Sequence, residues 1–303
     1  MESRTIVDGT TLRPWPAQLG GRTGSIPRPN GQLRAAYLLS GAIAVLMVVA
    51  AALGLFVDGL YREGAWAREA LRGGDLVTLV LAAPVLMVAL ALSVRGSKRA
   101  QPVWVGMLAY AVYTYAYFAF GSAFNDVFLL HIALLAMSVF ALACALPNLD
   151  VPAIAARLRG GSAARWVGVV LVAVGVLQGA LWAFLILRFA VTGEVMQDIP
   201  VAGQHLVFAL DLSLLVPSLV LAGVLLFRRT AMGHVLGAAM AVMGSVYLLN
   251  LLAAGVFQAN ADVAGVKAFP PEGIAMTVGL LIASAVLLRG RRMAPRSDRL
   301  AAE

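Results

Sequence analysis

The sequence predicts an all-α integral membrane protein with eight transmembrane helices, and three observations lead there. Of its 303 residues 61% are hydrophobic and 13% charged, against about 45 to 50% and 25% in a soluble domain. Its mean hydropathy is +0.88. The apolar residues also fall into continuous Ala/Leu/Val-rich runs of helix-spanning length, without the in/out alternation of a lipid-facing strand. With so few charges, the chain cannot clothe its surface in polar side chains, so most of that surface must meet lipid.

Crossing about 30 Å of hydrocarbon takes roughly 20 helical residues. Runs bounded by charge, Pro or Gly give the spans Ala35–Val57, Leu76–Ser93, Val103–Phe124, Val127–Pro147, Val167–Val191, Leu206–Phe227, His234–Phe257 and Ile274–Leu288. Asn125 and Asp126 alone divide the third from the fourth, which makes those two a tight hairpin. Residues 1–34, with Pro14, Pro16, Pro27 and five arginines, read as a disordered cytoplasmic tail, not a signal peptide. Residues 35–147 form a first four-helix repeat, 148–166 a cytoplasmic linker, 167–288 a second repeat and 289–303 a cytoplasmic tail.

Charge sets the orientation. Eighteen of the 23 Lys and Arg residues lie on the side of the two termini, whereas nine of the 15 acids lie on the other. By the positive-inside rule both termini are cytoplasmic, in the cell membrane, and an even number of spans agrees. The formal net charge of +8 is therefore a topology signal that also meets anionic headgroups, and nucleic acid is not a partner.

The two halves share punctuation at one spacing of 133 residues: Phe56 with Phe189, Pro84 with Pro217 and Arg95 with Arg228. The same register sets Tyr117 against Asn250 and Asn125 against Gln258. Four spans per half predict a parallel repeat about an axis along the membrane normal.

Ionisable groups inside spans are costly and by default functional. They are His131, Arg188 and Asp211, with His205 at the mouth of span six. Two readings of Asp211 are open: an outward-facing site, or the preferred one, an ion pair with Arg188, which the depths permit. His131 reads either as an interfacial imidazole or as a ligand or proton-handling group. In span three Tyr110, Tyr113, Tyr117 and Gly121 share one helical face, and in span seven Tyr247, Asn250 and Gln258 share another. Phenols withdrawn from water need partners, so these faces should line the bundle interior or a cavity. The candidate substrate-binding residues are thus Tyr113, Tyr117, Asn125, His131, Asp211, Tyr247 and Asn250. Gly175 and Gly179 form a GxxxG packing signal in span five.

The lone Cys144 excludes a disulfide framework and a cysteine zinc site. No Walker loop, GxSxG or HExxH occurs, so nucleotide hydrolysis is unsupported. No cofactor is predicted, although a metal or haem at His131 and His205 is the alternative that the nitrogen ligands allow.

The stretch from Trp104 through Tyr110, Tyr113, Tyr117, Phe120, Gly121 and Phe124-Asn125 to Phe128-Leu129, with Asp211-Leu212 and Pro217, resembles a group of uncharacterised bacterial multi-span membrane proteins. The resemblance implies the fold, and carries no activity or catalytic residue with it. The functional expectation is a small-molecule transporter or permease with a polar cavity between its halves. The alternatives are an outer-leaflet enzyme or a metal, haem or quinone protein built on His131, Asn125, Asp126, His205, Asp211 and Glu272, and a sensor or accessory subunit. Whether the chain is an enzyme stays open. Its expected partners are the lipid bilayer, an unidentified solute and a second copy of itself.

Overall fold

A computed structural model describes residues 31–158, 160–195 and 201–290. The expected N-terminal tail up to residue 30 and the C-terminal tail beyond residue 290 lie outside the described residues. Among the described residues eight helices are long and apolar enough to cross a membrane: α1 Gly31–Phe56, α2 Ala65–Val94, α3 Ala100–Gly121, α4 Phe128–Asn148, α5 Ser162–Thr192, α6 Gly203–Phe227, α7 Ala231–Asn260 and α8 Pro271–Leu288. The chain is a polytopic membrane protein in which every described backbone segment of regular structure is helical. This is how a chain satisfies its own N–H and C=O groups in lipid.

Contacts sort the helix ends into two faces. Gln32 bonds to Asn148, Lys98 pairs with Asp150, and Gly290 lies against Arg99, so both ends of the described chain share one face, here the terminal face. On the other, distal, face Arg62 meets Asp126, Glu63 accepts from the Ala123 N–H at 2.6 Å, and Gln258 donates to the Trp66 carbonyl at 2.7 Å. Buried Tyr61 lies there too. Desolvation and the adjoining Asp75 hold its hydroxyl above the usual phenol range, so it stays a donor, 2.6 Å from Asp75 Oδ2.

Several stretches expected outside the spans are helical: α1 begins at Gly31, within the expected tail, and α5 at Ser162, within the expected linker. The segment 58–75, read as loop because its charges interrupt the apolar run, is helix from Ala65 onward. The stretch Ala67-Arg68-Glu69-Ala70-Leu71-Arg72 is composed of strong helix formers, and Glu69 bridges Arg68 at 2.9 Å and Arg72 at 3.4 Å. The expected linker 148–166 contains a short helix, Val151–Arg157, capped by the Asp150 side chain on the Ala153 N–H.

The centre of the bundle is the α3–α7 pair. In each, 72% of the spanning window is buried, against 11% in α5. The two can meet closely because Gly106 has no side chain: a Cβ there would stand 2.5 Å from the Ala239 carbonyl oxygen. The GxxxG signal in α5 is a genuine contact surface, with Gly175 against Leu219 and Val220 and Gly179 against Val216 of α6. Small residues allow such backbone approach where lipid offers no hydrophobic drive to pair.

Helices α2 and α6 each contain one wide turn. The Ala83 N–H reaches back five residues to the Thr78 carbonyl, and the Val216 N–H likewise to Asp211. Each turn lies just ahead of a proline, Pro84 or Pro217, whose ring would clash with the carbonyl four residues earlier in a regular helix. Both helices also end on a left-handed residue, Gly96 and Arg229, whose N–H groups bond to the Ser93 and Leu226 carbonyls. Ser97 and Thr230 then close back on Leu92 and Leu225.

Candidate functional site

Asp211 sits at the start of the wide turn of α6 and is fully buried. Its Oδ1 accepts from the Tyr113 hydroxyl at 2.6 Å, and its Oδ2 from Trp182 Nε1 at 2.8 Å and Gln178 Nε2 at 2.9 Å. Trp182 and Gln178 can only donate to the carboxyl, and the Tyr113 hydroxyl completes the set of three hydrogen bonds. The expected pairing with Arg188 does not form. Arg188 pairs with Glu194 near the distal end of α5, and no ion pair among the described residues includes Asp211. The reason is reach: Glu194 stands six residues beyond Arg188 at the exposed helix end, where both groups keep their water.

The Tyr113 hydroxyl has one hydrogen, given to Asp211, and its lone pairs face Tyr247 Oη at 3.4 Å. The two rings meet edge to face with centroids 4.9 Å apart. A second polar chain runs beside this one: Asn250 Nδ2 donates to Tyr110 Oη at 3.0 Å, which lies 3.4 Å from Thr78 Oγ1 at the wide turn of α2. Gly74 makes room for Asn250, since a Cβ there would stand 3.1 Å from the amide oxygen.

Beside these groups is a cavity of about 260 Å³, close to the lower end of small-molecule sites. It extends from Trp66, Gly203 and Gln258 at the distal helix ends inward to Tyr113 and Tyr247 in mid-span. Tyr247 is eleven residues from Gln258 on one helix, a depth of roughly 16 Å. Gln178 and Trp182 form part of its wall. Toward the terminal face the close Gly106–Ala239 crossing and buried Met107 and Met243 fill the interior. A larger groove of about 640 Å³ lies between α5 and α6, lined by eight apolar residues together with Arg188, Glu194, Gln204, His205 and Ser213. The smaller cavity is the one lined by the three partners of Asp211.

Of the seven residues singled out in the sequence, Tyr113, Tyr117, Tyr247 and Asn250 line this cavity, and Asp211 is bonded to its wall through Tyr113. Asn125 and His131 lie elsewhere. Asn125 shapes the α3–α4 turn, with its Oδ1 accepting from the Val127 N–H at 3.1 Å. His131 is buried in α4 against Phe118 at a ring distance of 4.7 Å, and neither of its nitrogens has a hydrogen-bond partner among the described residues. His205 is exposed in the α5–α6 groove, apart from His131. Asp126 pairs with Arg62, and Glu272 lies in the first turn of α8, so the outer-leaflet set is not gathered into one site. Among the described residues no three His, Cys, Asp or Glu side chains converge as a metal site would require.

Sequence reasoning missed Trp182, Gln178 as a partner of Asp211, and Asp75. Gln178 carried a usable signal: it is a lone amide on the most lipid-exposed span, four residues from Trp182, so the pair had to turn inward together. Asp75 was hidden because it precedes the apolar run, yet it is buried and helical. Comparison with protein-family models, with curated proteins and with solved structures finds no match to this chain.

Proposed function

We propose that this protein is a small-molecule transporter of the cell membrane, with both termini cytoplasmic and its solute bound in the α3–α7 cavity. The observation that carries the reading is a cavity that extends from the distal helix ends to mid-span and is lined by α6 up to Phe208, just ahead of the wide turn that holds Asp211. A wide turn followed by proline is a place where a helix can bend without losing more backbone bonds than it has already given up.

A parallel repeat of two four-helix halves supports alternating access. The spacing of 133 residues recurs in the wide turns at Thr78–Ala82 and Asp211–Leu215, in Pro84 and Pro217, and in the left-handed caps Gly96 and Arg229. Gly106 crosses Ala239 at that same spacing, as two equivalent residues do at a two-fold axis. Paired hinges about such an axis would let the halves rock and open the terminal side while closing the distal one.

The test needs no knowledge of the solute. In a Cys144→Ser background, Thr114→Cys places one thiol deep in the cavity wall. A transporter exposes it to a membrane-impermeant maleimide from the distal side and, in its other state, from the terminal side. Labelling from the distal side alone, in every condition tried, overturns transport.

A further inference from the structure

We infer that the solute is a small organic cation without N–H groups, a quaternary ammonium, held over aromatic rings with Asp211 as the charge behind them; this rests on the α3–α7 cavity being the solute site. The first support is the wall itself. Seven of its nineteen lining residues are aromatic in a chain that is 8% aromatic, among them Trp66, Tyr113, Tyr117, Trp182, Phe208 and Tyr247. None of the nineteen is Lys, Arg, His, Asp or Glu. Trp182 and Phe208 lie together with centroids 4.6 Å apart, and Tyr113 meets Tyr247 at 4.9 Å, so aromatic rings border the space from α3, α5, α6 and α7. Aromatic faces attract cations through their quadrupole, and more strongly when the cation has left water.

The second support is the charge. Asp211 is fully buried, takes part in no ion pair among the described residues, and reaches the cavity only through other side chains. Its three donors, Tyr113, Gln178 and Trp182, all line the cavity. They pass its negative potential to the wall while occupying the oxygens that a primary ammonium would seek. A cation that gives no hydrogen bond loses nothing by this arrangement. It also supplies the positive charge that a buried carboxylate otherwise lacks.

Choline and its neutral carbon isostere, 3,3-dimethylbutan-1-ol, separate charge from shape, and methylammonium separates a hydrogen-bonding cation from one that is not. Binding to the detergent-purified full chain is read by calorimetry and by the change in tryptophan emission, Trp66 and Trp182 being the two of its five tryptophans that line the cavity. Choline should bind saturably and at least about ten-fold more tightly than the isostere, with methylammonium weaker than choline. Asp211→Asn, if folded by its thermal melt, should erase most of that preference. Tyr117→Leu, which touches no bond of the carboxylate, should weaken choline several-fold and the isostere hardly at all. Equal binding of choline and the isostere, no binding of either, or a preference for methylammonium overturns the inference. Selective choline binding with no flux into proteoliposomes would instead remove the transporter reading and leave the ligand class in place.

Discussion

The Tyr113 hydroxyl lies 2.6 Å from Asp211 Oδ1, joining the most buried helix of the first half to the wide turn of α6. The contact ties α3 to α6 behind the cavity wall, and the other carboxyl oxygen of Asp211 holds α5 through Gln178 and Trp182. One carboxyl thus positions side chains from two other helices, α3 and α5, beside one cavity.

Hydrogen bonds to charged groups contribute about 1.5 to 3 kcal/mol each, and removing one partner leaves the other short of a bond in a dry site. Tyr113→Phe should therefore lower stability by about that amount, read from reversible unfolding in mixed micelles. Asp211→Asn should cost a similar amount. The double variant should cost clearly less than the two together, because both singles break one bond. Additivity within about 0.5 kcal/mol would show that the two side chains are not coupled.

The α3–α7 crossing gives a sharper contrast. A methyl at Gly106 would enter the space of the Ala239 backbone, which cannot swing aside as a side chain can, whereas a Cβ at Gly41 of α1 would meet nothing within 4 Å. Gly106→Ala should destabilise by about 1 to 3 kcal/mol through overpacking. Gly41→Ala should be neutral or slightly stabilising, since Ala is the better helix former. Equal unfolding midpoints for the two variants would contradict the close crossing.

Most of the membrane architecture was legible because the need to span lipid writes itself as runs of apolar residues, and all eight predicted runs lie within the eight helices to within a few residues. The boundaries that failed share a cause: at Ala65–Asp75 helix continues beyond the apolar run, carried by Arg68, Glu69 and Arg72 pairing along its surface. The cavity tyrosines were legible too, since Tyr113 and Tyr117 share a face too polar for lipid. The partner of Asp211 was not. Depth along the spans allowed Arg188, but depth alone carries no information on which way a side chain turns about its helix, and Arg188 turns to Glu194 at the exposed end.

His131 separates a burial argument from a chemical one. Its ring is fully buried beside Phe118 and Tyr115, and both nitrogens lack partners among the described residues. An unpaired buried polar group costs about 1 to 3 kcal/mol, so a ring without nitrogens should do at least as well there. His131→Phe is expected to keep or raise the unfolding temperature and to leave choline binding unchanged. His131→Ala should lower stability by about 2 kcal/mol or more, through the lost packing. Loss of choline binding in a folded His131→Phe protein would tie this histidine to the cavity after all.

The orientation expected from the charge asymmetry is open to direct measurement. In a Cys144→Ser background, Asp58→Cys puts an exposed thiol on the distal face and Ser162→Cys one on the terminal face. By the positive-inside rule the arginine-rich terminal face is expected in the cytoplasm, because Lys and Arg in short loops resist translocation. A membrane-impermeant maleimide added to intact cells should therefore label Asp58→Cys and leave Ser162→Cys untouched until the membrane is opened. The reverse pattern would place the cavity mouth in the cytoplasm and make the solute's first encounter an internal one. Labelling of both positions in intact cells would mean that the chain inserts in two orientations, which an excess of 18 basic residues out of 23 on one side makes the least expected result.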